Sequence, residues 1–186
     1  MIKHDSEKDL YESFDIDTAQ RTLDRTIGFI NSCDTKASIM LAVLGVILTI
    51  IFTSSILDNI VNMADTISKS LSLCNWIFIV SSALSAFLFI FGVVKLTMVL
   101  YAMVSVSGED SKIYFLDISK NENYTSYKNK LQRIKSNDLL DDIANQIYIN
   151  AVICSKKYER YNKGLKFSLI GLAMLLILYI IGILIY

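Results

Sequence analysis

Residues 37–57 read ASIMLAVLGVILTIIFTSSIL and carry no charged side chain. The hydrocarbon core of a bilayer is about 30 Å thick, and a helix of about 20 apolar residues crosses it. A backbone in lipid has no water to bond, so it must satisfy its own N–H and C=O groups, as a helix does. This stretch therefore predicts a membrane-spanning helix.

Two further stretches have the same character, residues 70–94 between Lys69 and Lys95, and residues 167–186. Hydrophobic residues make up 53% of the sequence, and the mean hydropathy is +0.46, which is too apolar for an ordinary soluble domain of this size. The sequence contains no proline, so the commonest cause of helix kinks is absent. The predicted fold class is all-α, an integral membrane protein with three transmembrane helices.

The distribution of Lys and Arg predicts the orientation of these spans, because cytoplasmic loops carry an excess of both. Residues 1–36 hold five of them and residues 108–166 hold eleven, whereas residues 58–69 hold only Lys69. The N-terminus and residues 108–166 are thus expected in the cytoplasm. Residues 58–69 are expected to form a short extracytoplasmic loop, and the C-terminus is expected outside. The charged N-terminal residues do not resemble a cleavable signal peptide.

The first span is expected to begin as a cytoplasmic helix. Apolar residues recur at helical spacing over residues 16–36, and the pattern runs straight into residue 37. Thr18 or Asp17 is the expected N-cap. Residues 1–15 are predicted to form a disordered tail.

The second span is expected to extend into the cytoplasm as far as residue 107, because the residues after Lys95 are also uncharged. Lys95 has two interpretations. Its ammonium can reach the inner interface while its stem stays in apolar surroundings, which is the favoured interpretation. Alternatively, it lines a pore or contacts a ligand.

Residues 108–166 are predicted to be helical, with a break at Gly108, a short helix over residues 124–134 and a helix that starts near Asp138 and continues into the third span. A segment this short makes a poor core alone. We therefore expect a helical bundle that is continuous with the spans and that associates with other copies. Small residues in the spans allow close helix approach; they are Gly45, Ser81, Ser82, Ser85, Ala86 and Gly171.

No enzymatic constellation is visible. The three cysteines show no C-x-x-C spacing, and the single histidine is His4, in the charged tail. A metal site and a His-activated nucleophile are therefore not expected, and no cofactor is expected either. The formal net charge is zero, which leaves no global field to attract nucleic acid.

Cations and aromatic residues are mixed near the predicted cytoplasmic ends of the spans. Asp34 opens the first span, and an acid at that depth should have a cationic partner, such as Lys156 or Lys157. The cations and tyrosines could instead bind a phosphate and stack on a base. Spacing alone favours ordinary interfacial anchors.

Three segments resemble the Pycsar transmembrane effectors, in that family's order. Residues 31–38, NSCDTKAS, resemble the Asp-x-Lys-Ala-Ser element that starts the family's first span. Residues 113–118, IYFLDI, resemble its Tyr-Phe patch after the second span. Residues 139–158, with Gln146-Ile147-Tyr148 and Lys156-Lys157-Tyr158, resemble its Gln-Ile and Lys-Tyr helix before the last span. The resemblance covers about residues 20–186.

The resemblance implies a non-enzymatic effector in a bacterial inner membrane, paired with a nucleotide cyclase that responds to phage. Cyclic UMP or cyclic CMP would activate it on the cytoplasmic side, and it would then impair the membrane and cause growth arrest or abortive infection. Related membrane effectors serve cyclic oligonucleotides. The alternative is a membrane scaffold or small channel subunit without a nucleotide ligand. The ligand-binding residues that we expect are Asp34, Lys36, Tyr114, Phe115, Gln146, Lys156, Lys157, Tyr158 and Arg160.

Overall fold

The structure is a computed structural model that describes residues 14–53, 56–69, 72–102 and 111–185. Within these ranges the chain forms helices and no strand. The helices are α1 (Ile16–Thr53), α2 (Ile56–Lys69), α3 (Leu73–Leu100), α4 (Phe115–Ser119), α5 (Tyr124–Gln132) and α6 (Ser136–Ile185). Three of them, α1, α3 and α6, are long and apolar enough to cross a membrane. The predicted all-α class with three membrane-spanning helices is confirmed.

The chain divides into two compact units. We call the first the polar unit; its described residues are 14–32, 102 and 111–156. We call the second the span unit, with described residues 33–53, 56–69, 72–101 and 157–185. Helices α1 and α6 contribute residues to both units.

Helices α3 and α6 pack at backbone distance in the span unit. A Cβ atom added at Gly92 would lie 2.7 Å from the Cα atom of Ser168, and one added at Gly171 would lie 2.7 Å from the Cα atom of Phe89. Both distances are shorter than carbon atoms tolerate without a bond. Ser85 and Ser168 are fully buried. The close approach predicted for Gly171 therefore occurs, and it follows from the lack of side-chain bulk.

The opposite faces of the spans are apolar and exposed. Phe52, Phe87 and Ile77 are 64%, 64% and 65% exposed, respectively. Exposed apolar surface of this extent suits lipid or another protein copy. A Cβ added at Gly45 would meet nothing within 4 Å, so this glycine is not closely approached by any residue that the structure describes.

Two predicted boundaries differ from the structure. The segment 58–69, expected to be a loop, lies wholly within helix α2, which buries Met63 and Ile67. The loop was expected because this segment has few Lys and Arg residues. That count predicts the side of the membrane on which a segment lies, and it does not predict whether the segment is helical. Helix α3 ends at Leu100, because Tyr101 adopts an extended conformation. The expected extension to residue 107 is thus shorter; residues 103–110 lie outside the described residues.

Helix α1 begins at Ile16, two or three residues earlier than N-caps at Asp17 or Thr18 would imply. The N–H of Thr18 donates to Asp15 Oδ1 at 2.8 Å, so Asp15 is the N-cap and the expectation of Asp17 or Thr18 was wrong. Hydrogen bonds from Thr18 hold the pKa of Asp15 below its usual range. Most of the predicted tail, residues 1–13, lies outside the described residues. Helix α5 matches the short helix predicted over residues 124–134.

Candidate functional site

A buried lysine joins three helices of the span unit. The Nζ atom of Lys157, on α6, donates to Asp34 Oδ1 on α1 at 2.6 Å and to the carbonyl oxygen of Val99 on α3 at 2.7 Å. Lys157 is only 4% exposed, whereas the side chain of Asp34 is 34% exposed. We call Asp34, Lys157 and Val99 the lysine junction. One ammonium group therefore ties the three spans together.

The surroundings of the lysine junction are small and apolar. Cys33, Ala37 and Val99 form a fully buried cluster, against which Tyr158 and Tyr161 pack. Removing an ammonium from water costs several kcal/mol, and only close partners offset that cost. The pairing with Asp34 and the carbonyl of Val99 supplies such partners. The ion pair predicted for Asp34 is confirmed, with Lys157 as the partner.

The same face of α6 caps the C-terminal end of α3. The last four carbonyl groups of a helix lack partners within it and carry the negative end of the helix dipole. Two of these carbonyls in α3 accept from cations of α6: Val99 from Lys157, and Met98 from Arg160 Nη1 at 3.2 Å. Lys157 and Arg160 are three residues apart and so share one helix face. They satisfy backbone groups that would otherwise need water.

Two other cations of the span unit lie against aromatic rings. Lys36 Nζ lies 5.9 Å from the centroid of the Tyr158 ring. Lys95 Nζ lies 5.2 Å from the centroid of the Phe91 ring, one turn earlier on the same helix. Both distances are within the range of a cation–π interaction. The aromatic contact gives Lys95 a favourable position that requires neither a pore nor a ligand.

Four of the predicted residues belong to the polar unit. The rings of Tyr114 and Phe115 meet edge to face, with centroids 5.0 Å apart, and Phe115 is 61% exposed. Gln146 is buried, and its Nε2 atom has no hydrogen-bond partner in the described part of the chain. Lys156 is exposed.

The structure thus assembles five of the nine predicted residues around the lysine junction: Asp34, Lys36, Lys157, Tyr158 and Arg160. The other four, Tyr114, Phe115, Gln146 and Lys156, belong to the polar unit. Ligand binding by any of the nine stays a prediction. Sequence reasoning missed the carbonyls of Met98 and Val99, because backbone acceptors have no side-chain signature; the only signal was a pair of cations at helical spacing.

Comparison with known proteins agrees with the resemblance stated above. A family model described as the Pycsar effector protein domain matches residues 18–185. The chain is 30% identical over 191 aligned residues to the Pycsar effector protein GmPycTM of Gulbenkiania mobilis, covering 92% of this chain and 95% of that protein. No solved structure shows significant similarity to the chain.

Proposed function

The chain belongs to the Pycsar effector protein family, and we propose that this transmembrane effector of antiphage defence is activated by a cyclic pyrimidine mononucleotide, cyclic UMP or cyclic CMP. A nucleotide cyclase would supply the ligand after phage infection. Activation would impair the inner membrane and arrest growth before the phage matures. The family match over nearly the whole chain supports the effector role.

The lysine junction is the observation that carries the gating part of the proposal. It holds one end of all three spans through a single ammonium group, so the arrangement of the spans depends on one set of contacts. A ligand shifts such an arrangement only when it binds the active state more tightly than the resting state. We propose that the junction holds the resting state and that activation rearranges α6 against α1 and α3.

Helices α1 and α6 supply a route for this signal, because each contributes residues to the polar unit and to the span unit. The excess of Lys and Arg in residues 1–36 and 108–166 supports a cytoplasmic location for the polar unit, where a cyclase product would meet it. In this orientation, helix α2 and the C-terminus are extracytoplasmic.

Association of several copies is part of the proposal. The spans expose broad apolar faces, and Gly45 on α1 leaves open space beside its backbone. Glycine on an exposed span face permits another helix to approach closely. Crosslinking in membranes with and without cyclic nucleotide measures whether the number of associated copies changes on activation.

Dye release from reconstituted vesicles tests the function directly. Purified protein is reconstituted into dye-loaded vesicles in mixed orientation, and cyclic UMP or cyclic CMP is added. We expect release with one of these nucleotides and none with the linear monophosphates or with vesicles lacking protein. Release without nucleotide would indicate a constitutive channel. If the protein neither binds a cyclic nucleotide nor releases dye in its presence, the scaffold alternative is favoured and the proposal is overturned.

A further inference from the structure

The polar unit contains a cavity that none of the nine predicted residues lines. Its volume is about 300 Å³, at the lower end of the range for small-molecule sites. Most of the lining side chains are polar or charged, and they come from the segment before α4, from α4 and its following turn, and from α5. They are Ser111, Lys112, Asp117, Asn121, Tyr127 and Lys130.

Hydrogen bonds hold the wall of this cavity in place. Ser111 Oγ accepts from the N–H of Tyr114 at 2.9 Å. The Tyr127 hydroxyl donates to the carbonyl oxygen of Lys112 at 3.0 Å, and the N–H of Lys112 donates to Asp142 Oδ2 at 2.7 Å. The segment that carries Lys112 is therefore fastened to both α5 and α6. A wall fastened in this way is preorganised for a ligand.

The lining has a positive balance. Asp117 is 6% exposed, but Lys120 lies 2.6 Å from its carboxylate and offsets its charge. The ammonium groups of Lys112 and Lys130 form no ion pair with residues that the structure describes. Two cations without an ion-pair partner among the described residues, beside an acid offset by Lys120, favour an anionic ligand.

Hydrogen bonds also fix Asn121 in the same wall. Its Nδ2 atom donates to the carbonyl oxygens of Asp117 at 3.1 Å and Ile118 at 2.9 Å. Its Oδ1 atom is fully buried and has no hydrogen-bond partner in the described ranges. Because this oxygen has no solvent-accessible surface, it does not face the cavity, and Asn121 serves to hold the turn after α4 in place.

We propose that this cavity binds the cyclic pyrimidine mononucleotide, an inference that rests on the proposed function. Lys112 and Lys130 contact the singly charged phosphodiester, and the ring of Tyr127 lies against the base. The lysines that the sequence singled out for phosphate, Lys36 and Lys156 among them, would then not contact the ligand.

Calorimetric titration of the full-length protein in detergent tests this assignment. Cyclic UMP and cyclic CMP are titrated into the natural protein, into the double variant Lys112→Gln/Lys130→Gln, and into Lys128→Gln. Lys128 is an exposed residue of α5 that does not line the cavity, so it is the matched control. We expect the affinity of the double variant to fall at least tenfold and that of Lys128→Gln to stay unchanged.

Each other outcome decides against the assignment in a distinguishable way. Unchanged affinity in the double variant overturns the cavity and leaves the proposed function intact; loss of affinity in Lys156→Gln or Lys36→Gln would then support the residues predicted from sequence. No binding by the natural protein overturns both. If the double variant does not fold, Lys130→Gln alone gives the answer, because its side chain is exposed.

A phosphodiester also occurs in lipid headgroups, and a separate arm distinguishes that source. Phosphatidylglycerol in mixed micelles is titrated into the natural protein and the double variant. Lysine-dependent binding of this lipid, without lysine-dependent binding of either cyclic nucleotide, would assign the cavity to a headgroup and overturn the nucleotide proposal.

Discussion

The Nζ atom of Lys157 lies 2.6 Å from Asp34 Oδ1, although 123 positions separate the two residues in the sequence. Exposed ion pairs contribute about 0–1 kcal/mol, because water screens both charges and the side chains lose freedom. Lys157 differs from that case because it is 4% exposed and also donates to the carbonyl of Val99. Removal of the Asp34 carboxylate leaves the Lys157 ammonium without its counter-charge. Removal of the Lys157 ammonium leaves both Asp34 and the carbonyl oxygen of Val99 without their donor.

Lys157→Gln should therefore lower the free energy of unfolding by about 3 kcal/mol, since breaking a buried pair from one side is strongly destabilising. Asp34→Asn should cost about 1–2 kcal/mol, because the carboxylate is one-third exposed and the amide can still accept from Lys157. Unfolding in mixed micelles with increasing SDS, followed by circular dichroism, measures both. Lys156→Gln is the matched control, as Lys156 is the exposed neighbour.

The double variant Lys157→Gln/Asp34→Asn, measured together with the two single variants, gives a double-mutant cycle. If the two residues interact as described, its destabilisation is smaller than the sum of the single effects. Strict additivity would contradict a direct interaction between these side chains.

The contact between α3 and α6 should not tolerate an added methyl group. Gly92→Ala and Gly171→Ala place a Cβ atom against the backbones of Ser168 and Phe89, and rigid backbone cannot move aside cheaply. We expect each variant to lose about 1–3 kcal/mol of stability or to aggregate on size-exclusion chromatography. Gly45→Ala is the control; it meets nothing within 4 Å, and alanine favours a helix by about 1 kcal/mol over glycine.

Equal behaviour of all three glycine variants would show that the α3–α6 contact does not hold the spans together. A selective loss of nucleotide-dependent dye release in Gly45→Ala, with unchanged stability, would instead indicate that this glycine serves contacts between copies.

The native cysteines offer a test of orientation. Cys74 is exposed near the start of α3, Cys154 is partly buried in α6, and Cys33 is buried. A membrane-impermeant maleimide applied to spheroplasts should label Cys74 and spare Cys154 until the membrane is opened. Single-cysteine variants, with serine at the other two positions, separate the signals. Labelling of Cys154 in intact spheroplasts would place the polar unit outside and remove the proposed access to a cytoplasmic ligand.

The sequence predicted the spans because hydropathy over about 20 residues is a local property that lipid enforces. It also predicted a cation beside Asp34, because a charge at that depth needs one. It did not predict that Val99 and Met98 accept from α6, since backbone acceptors lie at contacts that only the fold defines. Asp15 was missed as the N-cap because Asp17 and Thr18 are equally good capping residues nearby.

The cavity of the polar unit was also invisible in the sequence. Lys112 and Lys130 lie 18 positions apart in a polar stretch where lysines are common, and neither falls in a segment that carries the family resemblance. Their shared site arises because the Tyr127 hydroxyl bonds the carbonyl of Lys112. Contacts of this kind depend on how short helices turn against each other, which periodicity does not describe.

The depth of the start of α3 can be measured with the protein's single tryptophan. Trp76 is the fourth residue of α3 and is 55% exposed, and tryptophan prefers the headgroup level of a bilayer. Its fluorescence in vesicles should be quenched more by lipids brominated near the headgroup than by lipids brominated near the chain end. Val80, one turn further along and 60% exposed, provides the matched comparison.

In the variant Trp76→Phe/Val80→Trp the probe lies about 6 Å further along the helix axis, at 1.5 Å per residue. If α3 enters the bilayer at its N-terminal end, quenching shifts towards the deeper bromines. The opposite shift, or equal quenching at both positions, would mean that this end of α3 does not lie at the interface.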